Sequence, residues 1–203
     1  MTNKSLLIIF TKNPELGRVK TRLAKDIGDE NALEIYKRLL AHSKKITAPV
    51  KAVKQVFYAS EIAKNDLWNE DIYSKKEQKG NDLGERMLNA FQEGFKSGFK
   101  NIVIIGTDIF DIETKDIEMA FSSLNENDFV IGPASDGGYY LLGMNCLNSD
   151  VFKNKKWSTS SVLQDTLDDL KNHSVKILPQ RKDIDVIEDI EGIPAFKKII
   201  END

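Results

Sequence analysis

The chain predicts an α/β fold with a mainly parallel sheet, on three observations. Ser5–Phe10 and Asn101–Ile105 are continuous apolar runs of strand length, the pattern of strands buried on both faces. Segments of helical periodicity alternate with such runs, which implies βαβ units. Four groups of phosphate- and metal-binding residue types stand at 17–22, 106–108, 136–140 and 183–185. The first two fall just past strand ends, where open α/β sheets take their ligands.

Each element has a local reason. After Ser5–Phe10, Asn13-Pro14 and Gly17 mark a loop. Asp29 suits the cap of a helix reaching about Lys45, with Ala32, Ile35, Tyr36, Leu39 and Leu40 on one face. Gln55–Ala59 reads as a second strand, and residues 60–81 are too polar to assign. Asp82 and Glu85 have capping-box spacing ahead of a stripe of Leu83, Met87, Ala90, Phe91 and Phe95 that ends at Gly98. Asn101–Ile105 follows as a strand, Thr114–Leu124 as a helix and Phe129–Ile131 as a strand. Tyr139–Gly143 is a further strand after the Gly137-Gly138 turn. Ser158 or Thr159 caps a helix bearing Val162, Leu163, Thr166, Leu167 and Leu170. Val175–Leu178 is a short strand and Pro194–Ile200 a final helix. No repeat, low-complexity tract or Pro/Gly/Ser-rich linker interrupts the series, so residues 1–203 are expected to form one domain.

Composition narrows the function. Hydrophobic residues make up 40% of the 203, which favours a packed chain over a disordered one. A net charge of −3 argues against a general nucleic-acid binder. Cys146 is the only cysteine, so no internal disulfide can form and a reducing compartment fits. The apolar run in Met1–Phe10 is too short for a signal peptide or a membrane span. These features predict a soluble, cytoplasmic protein. His42 and His173 have no Cys or His partners at ligand spacing, so no zinc site is expected.

The four groups carry the chemistry. Arg18, Lys20 and Arg22 lie within five residues of one loop, with Gly17 before them and Thr21 among them. Arginine grips phosphate oxygens with a bidentate fork, and lysine adds a mobile point charge. The competing reading is a solvated basic turn. Asp108, directly after a strand, suits Mg²⁺ or Mn²⁺, which prefers oxygen ligands shared with substrate phosphates. Asp111 reads as a structural turn residue. Asp183 and Asp185 offer a second metal carboxylate, although Asp185 also stands three before Glu188, at capping-box spacing. Asp136-Gly137-Gly138 is a common hairpin signal. It is also a place where a substrate can approach the backbone, with Asp136 as a candidate base and Tyr139 beside it. Tyr139 and Tyr140 must point to opposite faces of their strand. Because sequential strands are usually close, the strand ending near Pro133 is expected beside the one ending at Gly106.

Taken together in order, these segments resemble a family. Phe10–Leu23 is similar to the opening motif of the bacterial GT-A-like glycosyltransferases, also called radical-SAM/selenodomain-associated transferases. The likeness continues through 78–87, Gly106-Thr107-Asp108, 132–140, 157–159 and 183–185. The resemblance implies a nucleotide-diphospho-sugar transferase fold, a three-layer α/β/α sandwich with a mixed, mainly parallel sheet. It also implies basic positions near nucleotide phosphates at Lys20 and Arg22. Asp108 would be the metal carboxylate, and Asp183 or Asp185 the late acidic position. Phe110 departs from the pattern, which has proline there. The expected activity is a metal-dependent transfer from a nucleotide-sugar or nucleoside triphosphate to a small-molecule acceptor. The alternatives are nucleotidyl transfer, as by a guanylyltransferase of a small phosphorylated acceptor, and a non-catalytic nucleotide-binding protein. A Rossmann dehydrogenase ranks well below these, because no Gly-x-Gly-x-x-Gly follows the first strand.

Overall fold

A computed structural model of the protein describes residues 5–200. The strands are β1 (Ser5–Thr11), β2 (Val53–Tyr58), β3 (Tyr73–Glu77), β4 (Asn101–Ile105), β5 (Phe129–Pro133), β6 (Tyr139–Met144) and β7 (Val175–Ile177). They form one seven-stranded sheet in the order β3-β2-β1-β4-β6-β5-β7. Only β6 runs antiparallel to its neighbours, β4 and β5. In the centre, Ile9 of β1 stands opposite Val56 of β2 and Ile105 of β4.

The helices are α1 (Ala24–Thr47), α2 (Leu83–Lys96), α3 (Thr114–Ser123), α4 (Val162–Asp169), α5 (Ile187–Ile190) and α6 (Pro194–Ile200). Period-two alternation in the strands divides the core into two layers. Leu7 and Ile9 pack with Ile35, Leu39, Ile117 and Phe196 of α1, α3 and α6 on one face. Leu6, Ile8 and Phe10 pack with Met87, Phe91 and Phe152 of α2 and a short 3-10 turn on the other. The result is the expected three-layer sandwich with a mixed, mainly parallel sheet. No described helix is long and apolar enough to cross a membrane.

Several boundaries differ from the sequence reading for physical reasons. α1 begins a turn early and is broken at Gly28, whose φ of 78° only glycine adopts easily. β3 was hidden in the polar stretch, because an edge strand carries charge to block further pairing. Its only fully buried side chain is Tyr73, which meets Trp68 edge-on with centroids 5.0 Å apart. Beside it, Asp66 accepts a hydrogen bond from the Tyr58 hydroxyl and pairs with Lys75 at 2.9 Å. α2 is capped as expected, with Asp82 accepting from the Glu85 amide at 2.8 Å. The caps proposed for α4 are not used. The Leu163 amide instead donates to the Gly137 carbonyl at 2.9 Å, tying α4 to the hairpin turn. The capping box proposed for Asp185 and Glu188 is also replaced. The Asp189 carboxylate accepts from the amides of Asp185 and Val186, each at 2.8 Å.

The strand order corrects one further expectation. β5 does not lie beside β4, because β6 separates them. The Asp136–Gly138 turn is too short for anything but an antiparallel hairpin, so β6 must take the place next to β5.

Glycine is required where α2 meets the segment before α4. A Cβ at Gly84 would lie 2.5 Å from the Trp157 indole nitrogen and 2.6 Å from the Phe152 carbonyl oxygen. Gly84→Ala is therefore expected to destabilise the protein by about 1–3 kcal/mol, the usual range for overpacking. A urea melt measures this, and an unchanged midpoint would mean that Trp157 gives way freely.

Candidate functional site

A cleft of about 590 Å³ opens where β1, β4 and β5 end and β6 begins. One rim is the loop from Lys12 to Leu23, held down by Tyr36 of α1. The Tyr36 hydroxyl donates to the Lys12 carbonyl at 3.1 Å and accepts from the Lys12 amide at 2.9 Å. It also lies 3.4 Å from the Thr107 hydroxyl, so one buried side chain spans the ends of β1 and β4. Burial and the charge of Asp108 raise its pKa.

Lys20 lies in the left-handed region with φ of 49°. That conformation costs a non-glycine residue roughly 1–2 kcal/mol. It turns the side chain inward, and the amine forms an ion pair with Asp108 across the cleft. The Lys20 side chain is only 6% exposed and that of Asp108 is 51% exposed. Lys20 is therefore not the solvent-facing charge that a basic surface turn would supply. Arg22, 69% exposed, reaches over to pair with Asp185. Thr21 lines the cleft, and so does Arg18, which points outward and pairs with Glu15 at 3.2 Å. Gly17 shapes the turn with φ of 71° and is not part of the lining.

The opposite rim is a ribbon that follows β7. The Leu178 amide donates to the Ile131 carbonyl at 2.8 Å, and the Arg181 amide to the Pro133 carbonyl at 3.0 Å. Asp183 bridges to Ile109, and the Ile184 amide donates to the Asp108 carbonyl at 2.9 Å. This pairing carries Asp183 and Asp185 to the Asp108 turn. Arg181 anchors the ribbon from below with two bonds of 3.0 and 2.9 Å to Asp116, whose side chain is 3% exposed. Asp111, read as structural, joins the same arginine at 3.5 Å. Phe110 holds the turn after Asp108 against α1 and α6. Its ring packs at a tilt against His42 and Phe196, with centroids 4.9 and 4.7 Å away.

Asp136, Gly138 and Tyr139 complete the cleft. The Asp136 carboxylate both faces the cleft and shapes the turn, accepting from the Gly138 amide at 2.8 Å. Gly137 stands outside the lining. Its φ is 89° and a Cβ there would meet the Ser160 carbonyl at 2.3 Å, so its part is packing. The two tyrosines do point to opposite faces. Tyr139 joins the α2 and α4 layer with its hydroxyl buried near Thr166, and burial raises its pKa. Only the ring of Tyr139 is thus offered to a ligand. Tyr140 packs in the other layer and donates to the Pro179 carbonyl at 3.1 Å, and burial pushes its pKa up to about 12.

The sequence reading missed part of the lining. Gln78, Arg86, Met87 and Trp157 close the cleft toward β2, β3 and α2. Gln78 donates to the Phe57 carbonyl at 3.0 Å, and Arg86 to the Gly80 carbonyl at 3.1 Å. Their signal was the 78–87 motif, which points to no chemistry until the strand ends are brought together. A second hollow of about 330 Å³ lies between the 3-10 turn and α4. Both of its lysines are already paired, Lys155 with Asp169 at 2.6 Å and Lys153 with Asp150 at 3.1 Å.

Among the described residues, no three His, Cys, Asp or Glu side chains are grouped to hold a metal by themselves. The carboxylates at the cleft are hard oxygen donors that suit Mg²⁺ or Mn²⁺ when phosphate oxygens complete the shell. Asp183 is the one whose ionisation the surroundings oppose. Burial raises its pKa, and the charges of Asp136, Asp185 and Asp189 raise it further.

The comparisons agree with this architecture. The family model described as an uncharacterized protein conserved in bacteria (DUF2064) matches residues 42–159, and the chain belongs to that family. No curated protein matches it by sequence. A provisionally named nucleotide-diphospho-sugar transferase from Desulfovibrio desulfuricans G20 is 33% identical, with a TM-score of 0.85 over 92% of this chain and 84% of that one. A cytidylyltransferase from Leptospira borgpetersenii shares the fold at 16% identity, TM-score 0.58, over 98% of both chains. So does the 4-diphosphocytidyl-2C-methyl-D-erythritol synthase of Anaerococcus prevotii, at 11% identity and TM-score 0.55 over 97% of this chain and 96% of that one. The fold is that of the nucleotide-diphospho-sugar transferases, as the sequence motifs implied.

Asp183 yields a signed test. An acid whose folded pKa is raised binds protons more tightly when folded, so its ionised form subtracts stability. The loss is absent below the unfolded carboxylate value of about 4 and complete above the raised folded value. In chelator, Asp183→Asn is expected to raise the Tm at pH 7. The gain should vanish near pH 3, where both proteins carry a neutral group. An equal gain at both pH values would exclude the electrostatic cause.

Proposed function

We propose that this chain is a transferase that acts on the phosphates of a nucleotide donor, either a nucleotide-sugar or a nucleoside triphosphate. The observation that carries this reading is the meeting of Lys20 and Arg22 with Asp108 and Asp185 over one cleft at the strand ends. Cations and carboxylates set face to face can bind phosphate and the metal that phosphate carries. The 33% identity to the provisionally named nucleotide-diphospho-sugar transferase supports the same class.

Lys20 and Arg22 would bind the donor's phosphates and stabilise the charge that develops as the diphosphate leaves. Asp108, with Asp183 and Asp185 beside it, would hold Mg²⁺ or Mn²⁺. When bound, that ion supplies further charge stabilisation at the phosphate oxygens. Asp136 lines the same cleft on the hairpin turn, where it would orient or deprotonate the attacking group of a small-molecule acceptor. The ring of Tyr139 and the Gly138 backbone would form the acceptor side. Glycosyl transfer and nucleotidyl transfer require the same phosphate clamp. The cytidylyltransferase fold neighbours support the second as an alternative.

The test is a thermal-shift panel of nucleotides and nucleotide-sugars with and without Mn²⁺. A true ligand at 100 times its Kd adds about 2.7 kcal/mol, or on the order of 5–10 °C for a chain of this size. The Mn²⁺-dependent part of the shift is expected to disappear in Asp108→Asn. With a donor identified, Asp136→Asn should lower turnover at least tenfold with little change in donor affinity. A panel with no shift for any nucleotide would exclude the donor class, and an Asp136→Asn enzyme of full activity would exclude that residue's role.

A further inference from the structure

The cleft carries its own counterions. Lys20, turned inward by its backbone, sits on Asp108, and the exposed Arg22 reaches over to Asp185. Asp183 lies between the two paired acids in sequence and has no cationic partner among the described residues. The segment bearing Lys20 and Arg22 is bracketed by glycines in the left-handed region, Gly17 at φ 71° and Gly28 at φ 78°. A Cβ at Gly28 would meet no atom within 4 Å, so that position faces open space.

We propose that Lys20 and Arg22 are exchange residues. While the cleft holds no phosphate, they occupy the places on Asp108 and Asp185 that a divalent cation would take. When a metal-bound diphosphate enters, they transfer to its oxygens and release both carboxylates to the metal. The inference rests on the reading of the cleft as a metal–diphosphate site. It adds an order to that reading: the cation binds with its phosphate and not before it.

Charge dictates the order. A divalent ion on Asp108 alone would sit against the ammonium of Lys20. That side chain is 6% exposed, so water screens the repulsion poorly. A diphosphate reverses the sign, because its oxygens attract the ammonium, the guanidinium and the metal together. Lysine can make the exchange by rotating its flexible stem, keeping its charge throughout. Arg22, 69% exposed, leaves Asp185 with little resistance.

The experiment titrates Mn²⁺ by calorimetry and by electron paramagnetic resonance, first alone and then with inorganic pyrophosphate. The proteins are the unmodified chain, Lys20→Met, Arg22→Met and Asp108→Asn. The unmodified chain is expected to bind Mn²⁺ alone weakly and at least tenfold more tightly with pyrophosphate. Lys20→Met should bind Mn²⁺ alone at least tenfold more tightly than the unmodified chain and gain little from pyrophosphate. Arg22→Met, which removes an exposed charge that contributes little to folding, should show the same inversion more weakly. It keeps the test open if Lys20→Met does not fold. Binding of Mn²⁺ alone that is unchanged or weaker in the basic-residue variants, yet lost in Asp108→Asn, would overturn the exchange and leave the metal site standing. If Asp108→Asn changes nothing and pyrophosphate does not bind, the metal–diphosphate reading itself fails.

Discussion

The site depends on the parallel pairing of β1 with β4 at the centre of the sheet. Ile9 stands opposite Ile105, so the two strands end side by side. The loops that follow them carry Lys20 and Asp108, about ninety positions apart in sequence. Both strands are buried on both faces, and sliding one past the other by a residue would turn its apolar side chains to the wrong layer. Core packing therefore sets the separation of the two charged groups. Tyr36 makes the setting finer, since its hydroxyl bonds the chain after β1 and touches Thr107 after β4. A rigid sheet thus delivers charges on loops, an arrangement in which scaffold and chemistry are borne by different residues.

The second constraint is the hairpin of β5 and β6. By inserting β6 antiparallel between β4 and β5, it moves Asp136 to the same end of the sheet as Asp108 while keeping β5 further out. The ribbon after β7 then has a template. It runs along the end of β5 at Ala134 and reaches Ile109, with Arg181 fastened to the buried Asp116 beneath it. A buried ion pair is a weak source of net stability but a strict demand on geometry, because either partner alone is an unpaired buried charge. Its position here fixes where Asp183 and Asp185 can stand. Acids accumulate at the cleft in consequence, and the pKa of Asp183 is raised first by its burial and then by their charges.

Much of this was legible in the residues. The central strands, the α2 cap at Asp82, the final helix and the opposed tyrosines follow from periodicity and turn chemistry, which act within a few residues. Three features were not legible. β3 is an edge strand whose lysines and glutamate mask it. The start of α4 is satisfied by a distant carbonyl, that of Gly137, and no local cap signals it. Asp189 takes the capping role that spacing assigned to Asp185 and Glu188, which leaves the Asp185 side chain for Arg22.

The sequence by itself determined the α/β class, the family and the four groups of residues that meet at the cleft. It could do so because strand burial, helix periodicity and motif order are properties of short segments. The tertiary structure alone decided that β6 separates β4 from β5. It alone decided that Gly137 serves packing while Gly138 faces the cleft, and that Tyr139 buries its hydroxyl. It also decided that Lys20 is an inward, nearly buried partner of Asp108 and not a solvated charge on a basic turn. Each of these outcomes turns on which distant segment lies alongside, and that is settled by how two apolar layers close over a single sheet.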